Sequence, residues 1–192
     1  LSLTTRADAA GFLDDRAGDT HKGDCGRVLI VAGSAGKSGA ARLAAAGALR
    51  SGAGLVTVAT PRGCQQTVGA WMPEYMTLGL AETPLGEVEG GAAELVLEQR
   101  CDVLAVGPGL GQGREVERLV RTLVERTTAS LVLDADALNV CARDAATLVG
   151  RDGRDLIITP HPGEMARLIG ISVEDVQKHR IDVARDFATE RQ

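Results

Sequence analysis

Five short apolar runs set the terms on which this chain can fold. They occupy residues 27–31 (RVLIV), 55–60 (LVTVAT), 102–106 (DVLAV), 130–134 (SLVLD) and 155–159 (DLIIT), with residues 75–80 a weaker sixth. Apolar runs of five or six residues are what strands covered on both faces look like, which is the situation of a parallel sheet. Helix-like stretches fill the gaps at 38–51, 89–100, 114–126, 137–149 and 162–169, and another runs from 173 to 191. Strand and helix in alternation imply right-handed crossover units and an α/β fold with a parallel sheet. The 192 residues suit one domain, 1–192, with no internal repeat, and residues 84–91 are the expected exposed loop.

Composition says how such a core must be filled. Glycine (24) and alanine (28) together supply 52 residues with almost no side chain, whereas the aromatics are four, Phe12, Trp71, Tyr75 and Phe187. Backbones must therefore approach closely, with Leu, Val and Ile as the bulk. In the stretch 38–51, Gly47 costs about 1 kcal/mol relative to alanine, which a close approach by a strand or ligand would justify, and Gly52 falls where a left-handed helix cap is wanted.

A formal charge of -5 and a pI near 5.3 argue against a nucleic-acid partner. The apolar stretch 43–49, bracketed by Arg42 and Arg50, is too short for a bilayer, so no membrane is expected. Cys25, Cys64, Cys101 and Cys141 are widely spaced, as suits reduced thiols in a cytoplasmic protein.

In an open parallel sheet, ligands bind beyond the carboxyl ends of the strands. Four of the exits here carry glycine or polar residues: 32–40 (AGSAGKSGA), 107–113 (GPGLGQG), 134–139 (DADALN) and 159–164 (TPHPGE). The first is not a P-loop, because Val31 stands where the leading glycine of that motif belongs. Ser34 and the amides opening the following helix remain able to face an anion or hydroxyl. The second is out of phase with G-x-G-x-x-G, with Gln112 at the last glycine position, although Asp134 lies 21 residues after Gly113, close to where a ribose-binding acid would stand. Both loops offer backbone at a helix N-terminus, suited to phosphate or pyrophosphate. Asp134 and Asp136 are candidates for a hydrated Mg2+, with helix capping the competing role of Asp136. His161 is pinned between two prolines, and Glu164 falls where a helix dipole favours an acid. His21 and His179 read as solvated, and no zinc-like spacing is present.

In order along the chain, residues 21–34 (HKGDCGRVLIVAGS), Gly39-Ala40, 107–111 (GPGLG), 134–138 (DADAL) and 159–164 (TPHPGE) resemble the ADP/ATP-dependent NAD(P)H-hydrate dehydratases over about residues 20–170. The resemblance implies a three-layer, ribokinase-like α/β sandwich with a mostly parallel sheet. It implies a carbon–oxygen lyase of metabolite repair: ADP or ATP, with Mg2+, phosphorylates the ring hydroxyl of hydrated NADH or NADPH, and phosphate then leaves. By motif, Ala40, Gly109 and His161 would contact the hydrate, with Ser34, Asp134, Asn139 and Glu164 in supporting roles. Lys37 departs from the family pattern, standing where a bulky apolar residue is expected.

The family's Gly-Thr-Gly-Asp, whose aspartate is the catalytic base, occurs nowhere in the 192 residues. The chain begins at Leu1 and stops at Gln192, where the stretch 173–191 reads as a helix still in progress. The expectation is therefore a domain incomplete at its C-terminus, carrying the hydrate-binding edge but no catalytic residue, and with little turnover alone. A homo-oligomer is compatible with the sequence. The alternatives are a ribokinase-like small-molecule kinase, for which asparagine at 161 would be typical, a non-catalytic nucleotide-binding module, and a Rossmann dehydrogenase.

Overall fold

A computed structural model describes residues 5–10, 16–150 and 153–191; Phe12 and the two terminal residues lie outside them. The elements run α1 (Arg6–Ala10), β1 (Arg27–Val31), α2 (Ser38–Arg50), β2 (Leu55–Pro61), α3 (Arg62–Gly69) and β3 (Met76–Leu80). A 3-10 turn (Gly90–Ala92) then leads into α4 (Ala93–Leu97), followed by β4 (Val103–Val106), α5 (Arg114–Arg126), β5 (Ser130–Leu133) and α6 (Asp136–Cys141). After a second 3-10 turn (Ala145–Thr147) come β6 (Leu156–Ile158), α7 (Pro162–Ile169), α8 (Val173–Lys178) and α9 (Arg180–Arg191). The six strands form one sheet in the order β3-β2-β1-β4-β5-β6, and every neighbouring pair is parallel. The order reverses between β1 and β4, so the crevice beyond their carboxyl ends is where an open α/β sheet places a ligand.

Successive residues of β1 point to opposite faces and divide the core in two. Ile30 and Ala32 pack with Ala41 and Ala45 of α2, Cys64 and Val68 of α3, and Tyr75. Leu29 and Val31 pack on the other side with α4 to α7. This is the three-layer sandwich. The α2 layer uses alanine to bring a helix close to the sheet, whereas the α5 layer buries Val116, Leu119, Val120, Leu123 and Val124. Their spacing is that of one helical face, and each such side chain stabilises the fold by about 1.5–3 kcal/mol before entropy is counted. Buried Arg154 donates from Nη1 to the carbonyls of Val124 (3.0 Å) and Thr127 (3.1 Å), putting a cation at the C-terminal end of α5 where the helix dipole favours one.

Several expected elements are shorter or broken. The stretch 137–149 leaves the helix at Ala142, because Arg143 and Asp144 turn to pair with Glu117 and Arg121 of α5. The stretch 173–191 is two helices, with the break at His179 (φ -126°). In place of one helix over 89–100 there is a glycine-led 3-10 turn and the five residues of α4. Helix α3 was not expected at all; its apolar signal is only Cys64 and Val68, four residues apart. In the 84–91 loop Pro84 and Leu85 are exposed as expected, but Val88 and Gly90 are buried, with Val88 bridged to Glu82.

Gly47 is also corrected: it is exposed, and a Cβ there would meet nothing within 4 Å. Gly52 does take the left-handed cap (φ +103°), with Gly52 N–H donating to Leu49 O and Ala53 N–H to Ala48 O. The four cysteines are free. Burial pushes the Cys64 and Cys101 thiols up and that of Cys141 up to about 11, which leaves all three protonated and poorly nucleophilic near neutrality. Among the described residues no helix is long and apolar enough to cross a membrane.

Candidate functional site at the strand carboxyl ends

Strands β1 and β4 end side by side, with Val31 opposite Val106, and the loops that follow are stitched together. Gly33 N–H donates to Pro108 O (2.8 Å), and the Ser34 hydroxyl, 2% exposed as a residue, donates to Gly109 O (2.7 Å). Ser34 therefore shapes the neighbouring loop instead of facing outward. Gly33 has φ +84°, and a Cβ there would lie 3.0 Å from Thr60 Oγ1 and 3.2 Å from Ala41 Cβ. Helix α2 then opens at Lys37 with no side-chain cap and no acid in its first turn, so its dipole and unpaired amides are available.

The loop after β4 rests on glycine geometry. Gly107, at φ +134°, has no room for a Cβ, which would overlap the Asp134 carbonyl. Gly109, at φ +69°, lies against Ala40: a Cβ on it would come 2.9 Å from Ala40 Cβ and 3.0 Å from Lys37 O. Two of the expected contact positions, Ala40 and Gly109, are thus in contact with each other across the β1–β4 crevice.

This loop is not the open phosphate cradle that its glycines imply. Asp136 Oδ2 accepts from Gly111 N–H (2.8 Å), and Asp136 Oδ1 from Gln112 Nε2 (3.1 Å). The Glu87 carboxylate occupies the space beside Gly111 and Gly113, where a Cβ on either would overlap it. Glu115 in the first turn of α5 accepts from Gly90 N–H (2.9 Å). Three carboxylates surround this helix start, and a phosphate brought there would meet like charge. The Rossmann reading loses its pyrophosphate seat for that reason.

Asp136 is neither a helix cap nor an open metal ligand. It is the first residue of α6, joining the third exit to the second and approaching Lys37 Nζ at 3.8 Å. The residue before it, Ala135, has φ +52°, strain tolerated only because its neighbours are so firmly held. Asp134 Oδ1 accepts from Thr159 Oγ1 (2.8 Å), joining the ends of β5 and β6, while Asn139 Oδ1 accepts from Arg167 Nη1 of α7 (2.8 Å).

His161 caps α7. Its Nδ1 accepts from Gly163 N–H (3.0 Å) and Glu164 N–H (3.4 Å), and Glu164 Oε2 accepts from His161 N–H (2.8 Å), a reciprocal capping box with Pro162 following the cap. Capping thus accounts for the imidazole as well as for the glutamate. The His161 side chain is nonetheless 62% exposed on the same sheet edge as Ala40 and Gly109, with its strand roughly 10 Å from β4 at normal strand spacing. His21 and His179 are exposed, as expected.

Among the described residues no group of three or more His, Cys, Asp or Glu side chains could hold a metal ion. Asp134 and Asp136, both among the described residues, are turned to Thr159, Gly111 and Gln112, so neither stands as an open Mg2+ ligand. A cavity of about 710 Å3 lies apart from the crevice, between β6 and α9, lined by Ile157, Met165 and Phe187 among others. Sequence reasoning missed Glu87 and the linking role of Asp136. Their only trace in the sequence is one of two acids in a glycine-containing loop and an acid two residues past the end of an apolar run.

A family model described as NAD(P)H-hydrate dehydratase matches residues 28–192. The bifunctional NAD(P)H-hydrate repair enzyme Nnr of Moorella thermoacetica is 45% identical over 192 residues, covering 99% of this chain and 36% of the relative. An ADP-dependent (S)-NAD(P)H-hydrate dehydratase of Xanthomonas campestris is 40% identical over 164 residues, covering 85% of this chain and 55% of its own length. Among solved structures, the ADP/ATP-dependent NAD(P)H-hydrate dehydratase of Bacillus subtilis co-crystallised with ATP/Mg2+ superposes with a TM-score of 0.78 at 32% identity, covering 98% of this chain and 63% of that one. A ribokinase-like superfamily protein of Enterococcus faecalis, 22% identical with a TM-score of 0.75 and coverage of 92% and 58%, shares the fold. The chain spans between about a third and less than two thirds of the length of these proteins.

Proposed function

The chain belongs to the NAD(P)H-hydrate dehydratase family, and on that premise we propose that it supplies the hydrate-binding edge of a nucleotide-dependent dehydratase that restores NADH or NADPH from their hydrated forms. The observation that carries this reading is the contact of Ala40 with Gly109 at the point where the strand order reverses, with exposed His161 farther along the same edge. Absence of bulk at Ala40 and Gly109 lets a flat ligand lie against backbone, while the start of α2, with no acid in its first turn and flanked by Lys37, favours the ligand's phosphates. Lys37 also places a cation where the family resemblance led us to expect an apolar side chain, which favours the phosphate-bearing part of the hydrate there.

ADP or ATP, when bound, supplies the phosphoryl group that turns the ring hydroxyl into a leaving group. No residue of this chain is assigned to the nucleotide, to Mg2+ or to the base, since the 192 residues contain neither a Gly-Thr-Gly-Asp sequence nor, among those described, a ready metal cluster. Asp134, Asn139 and Glu164 support the edge through Thr159, Arg167 and His161. Titration calorimetry of the 192-residue chain with hydrated NADH, plain NADH and AMP tests the reading. Tighter binding of the hydrate than of plain NADH is expected, without ADP- or ATP-dependent recovery of NADH. Equal affinity for the two dinucleotides, or transfer of phosphate to a sugar or vitamin, would overturn it.

A further inference from the structure

We propose that Lys37 and Asp136 form a charge-exchange pair that sets the phosphate affinity of the ligand seat. Lys37 leaves the carboxylate for a phosphate of the bound dinucleotide, and Asp136 stays behind on the β4 loop. The exchange rests on the reading above that the ligand's phosphates lie at the start of α2; the pairing itself does not. Lys37 stands immediately before α2, with its Cβ 3.2 Å and its carbonyl oxygen 3.0 Å from where a Gly109 Cβ would be. Its Nζ lies 3.8 Å from Oδ2 of Asp136, the first residue of α6. The side chain therefore spans the crevice from the exit of β1 to the exit of β5, with its root against Gly109.

The two ends of the pair are held very differently. Asp136 is 16% exposed and accepts from Gly111 N–H (2.8 Å) and Gln112 Nε2 (3.1 Å), so both its oxygens keep partners when the lysine leaves. Lys37 is 52% exposed, has no other partner among the described residues, and meets the carboxylate at the long end of ion-pair distance. Such a pair adds little to stability and is easily given up. A phosphate beside the uncapped start of α2 would meet the ammonium and free backbone amides together. Lysine suits the exchange because its ammonium is a point charge on a flexible stem, with no fixed fork geometry to lose. A second polar group at this exit is also uncommitted: Thr60 Oγ1, wholly buried beside Gly33, has no hydrogen-bond partner. The β1 exit is thus not satisfied from within as the β4 loop is. Asp136 acts there as an internal competitor, which an incoming phosphate must displace from Lys37.

Lys22, Lys37 and Lys178 are the three lysines of the chain, so ammonium spectra of the 15N-labelled protein hold few signals. Inorganic phosphate should shift the Lys37 ammonium together with the Ser38 and Gly39 amides, and leave Lys178, paired with Glu174, in place. Lys37→Met should weaken binding of inorganic phosphate and of hydrated NADH about fivefold, whereas Lys37→Arg should keep most of both. Asp136→Asn, whose amide oxygen still accepts from Gly111 N–H, should tighten both about threefold, and should change neither when Lys37→Met is also present. Equal gains from Asp136→Asn with and without Lys37 would mean that Asp136 repels phosphate directly, and would overturn the exchange. Phosphate that leaves the Lys37 ammonium unmoved, or binds Lys37→Met at wild-type strength, overturns it as well. The two Lys37 variants decide alone if Asp136→Asn does not fold. Lys37 and Asp136 variants that respond as expected while hydrated and plain NADH bind alike would support the exchange and refute the hydrate reading alone.

Discussion

The two glycine-rich exits at the centre of the sheet look alike in the sequence and are used in opposite ways. The loop after β1 leads into α2 with no side-chain cap and no acid in the first turn. The loop after β4 leads into α5 past Asp136, Glu87 and Glu115, which hold or crowd its backbone. One helix N-terminus is left for a ligand; the other is filled by the protein's own carboxylates. Glycine follows a strand at both exits for a backbone reason, but only the charge around the helix start tells a seat from a strut. The self-filled loop is rigid, and it presents Gly109 to Ala40 as a fixed wall.

The contrast can be broken at several points. Gly107→Ala should have the largest effect, since the new Cβ overlaps the Asp134 carbonyl at φ +134°; a loss of about 3–5 kcal/mol in urea denaturation is expected. Asp136→Ala should follow, leaving Gly111 N–H without its acceptor and costing about 1–3 kcal/mol, with weakened hydrate binding because the wall behind Gly109 loosens. Gly47→Ala should act in the other direction. Nothing lies within 4 Å of the added methyl in the interior of α2, so thermal denaturation should show stabilisation of about 1 kcal/mol with unchanged ligand affinity. Glu87→Gln should change stability least, by no more than about 0.5 kcal/mol. It should also let inorganic phosphate shift the amide signals at the start of α5, where the wild type responds only at α2. A wild-type response at both helices would erase the distinction between the two exits.

Much of the fold was legible because its strands are apolar runs and α5 repeats Val and Leu at helical spacing. Where the expectation was too long, as over 137–149, the helix ends through ion pairs to another element, which no local pattern contains. Helix α3 (RGCQQTVG) was illegible because two apolar residues sufficed to seat it beside β3. The site was partly legible for the same reason. Glycines and prolines at strand ends mark themselves, and Ala40, Gly109 and His161 do stand on one edge. Asp136 and Gly111 are 25 residues apart, and their bond exists only once β4 and β5 are neighbours. Glu87 comes from a loop on the far side of β1, so its place against Gly113 belongs to the tertiary fold alone.

Strand β1 is paired along its length with β2 on one side, with β4 on the other, and covered by a hydrophobic layer above and below. Its amides should exchange with deuterium only when the whole molecule opens, which makes Leu29 to Val31 the slowest clock in the protein. The ligand-facing loop hangs directly from that clock through Ala32 and Gly33. Local breathing at the seat is consequently set by the few residues from Ser34 to Lys37, so bound ligand should slow exchange there while leaving β1 to report the global stability gained.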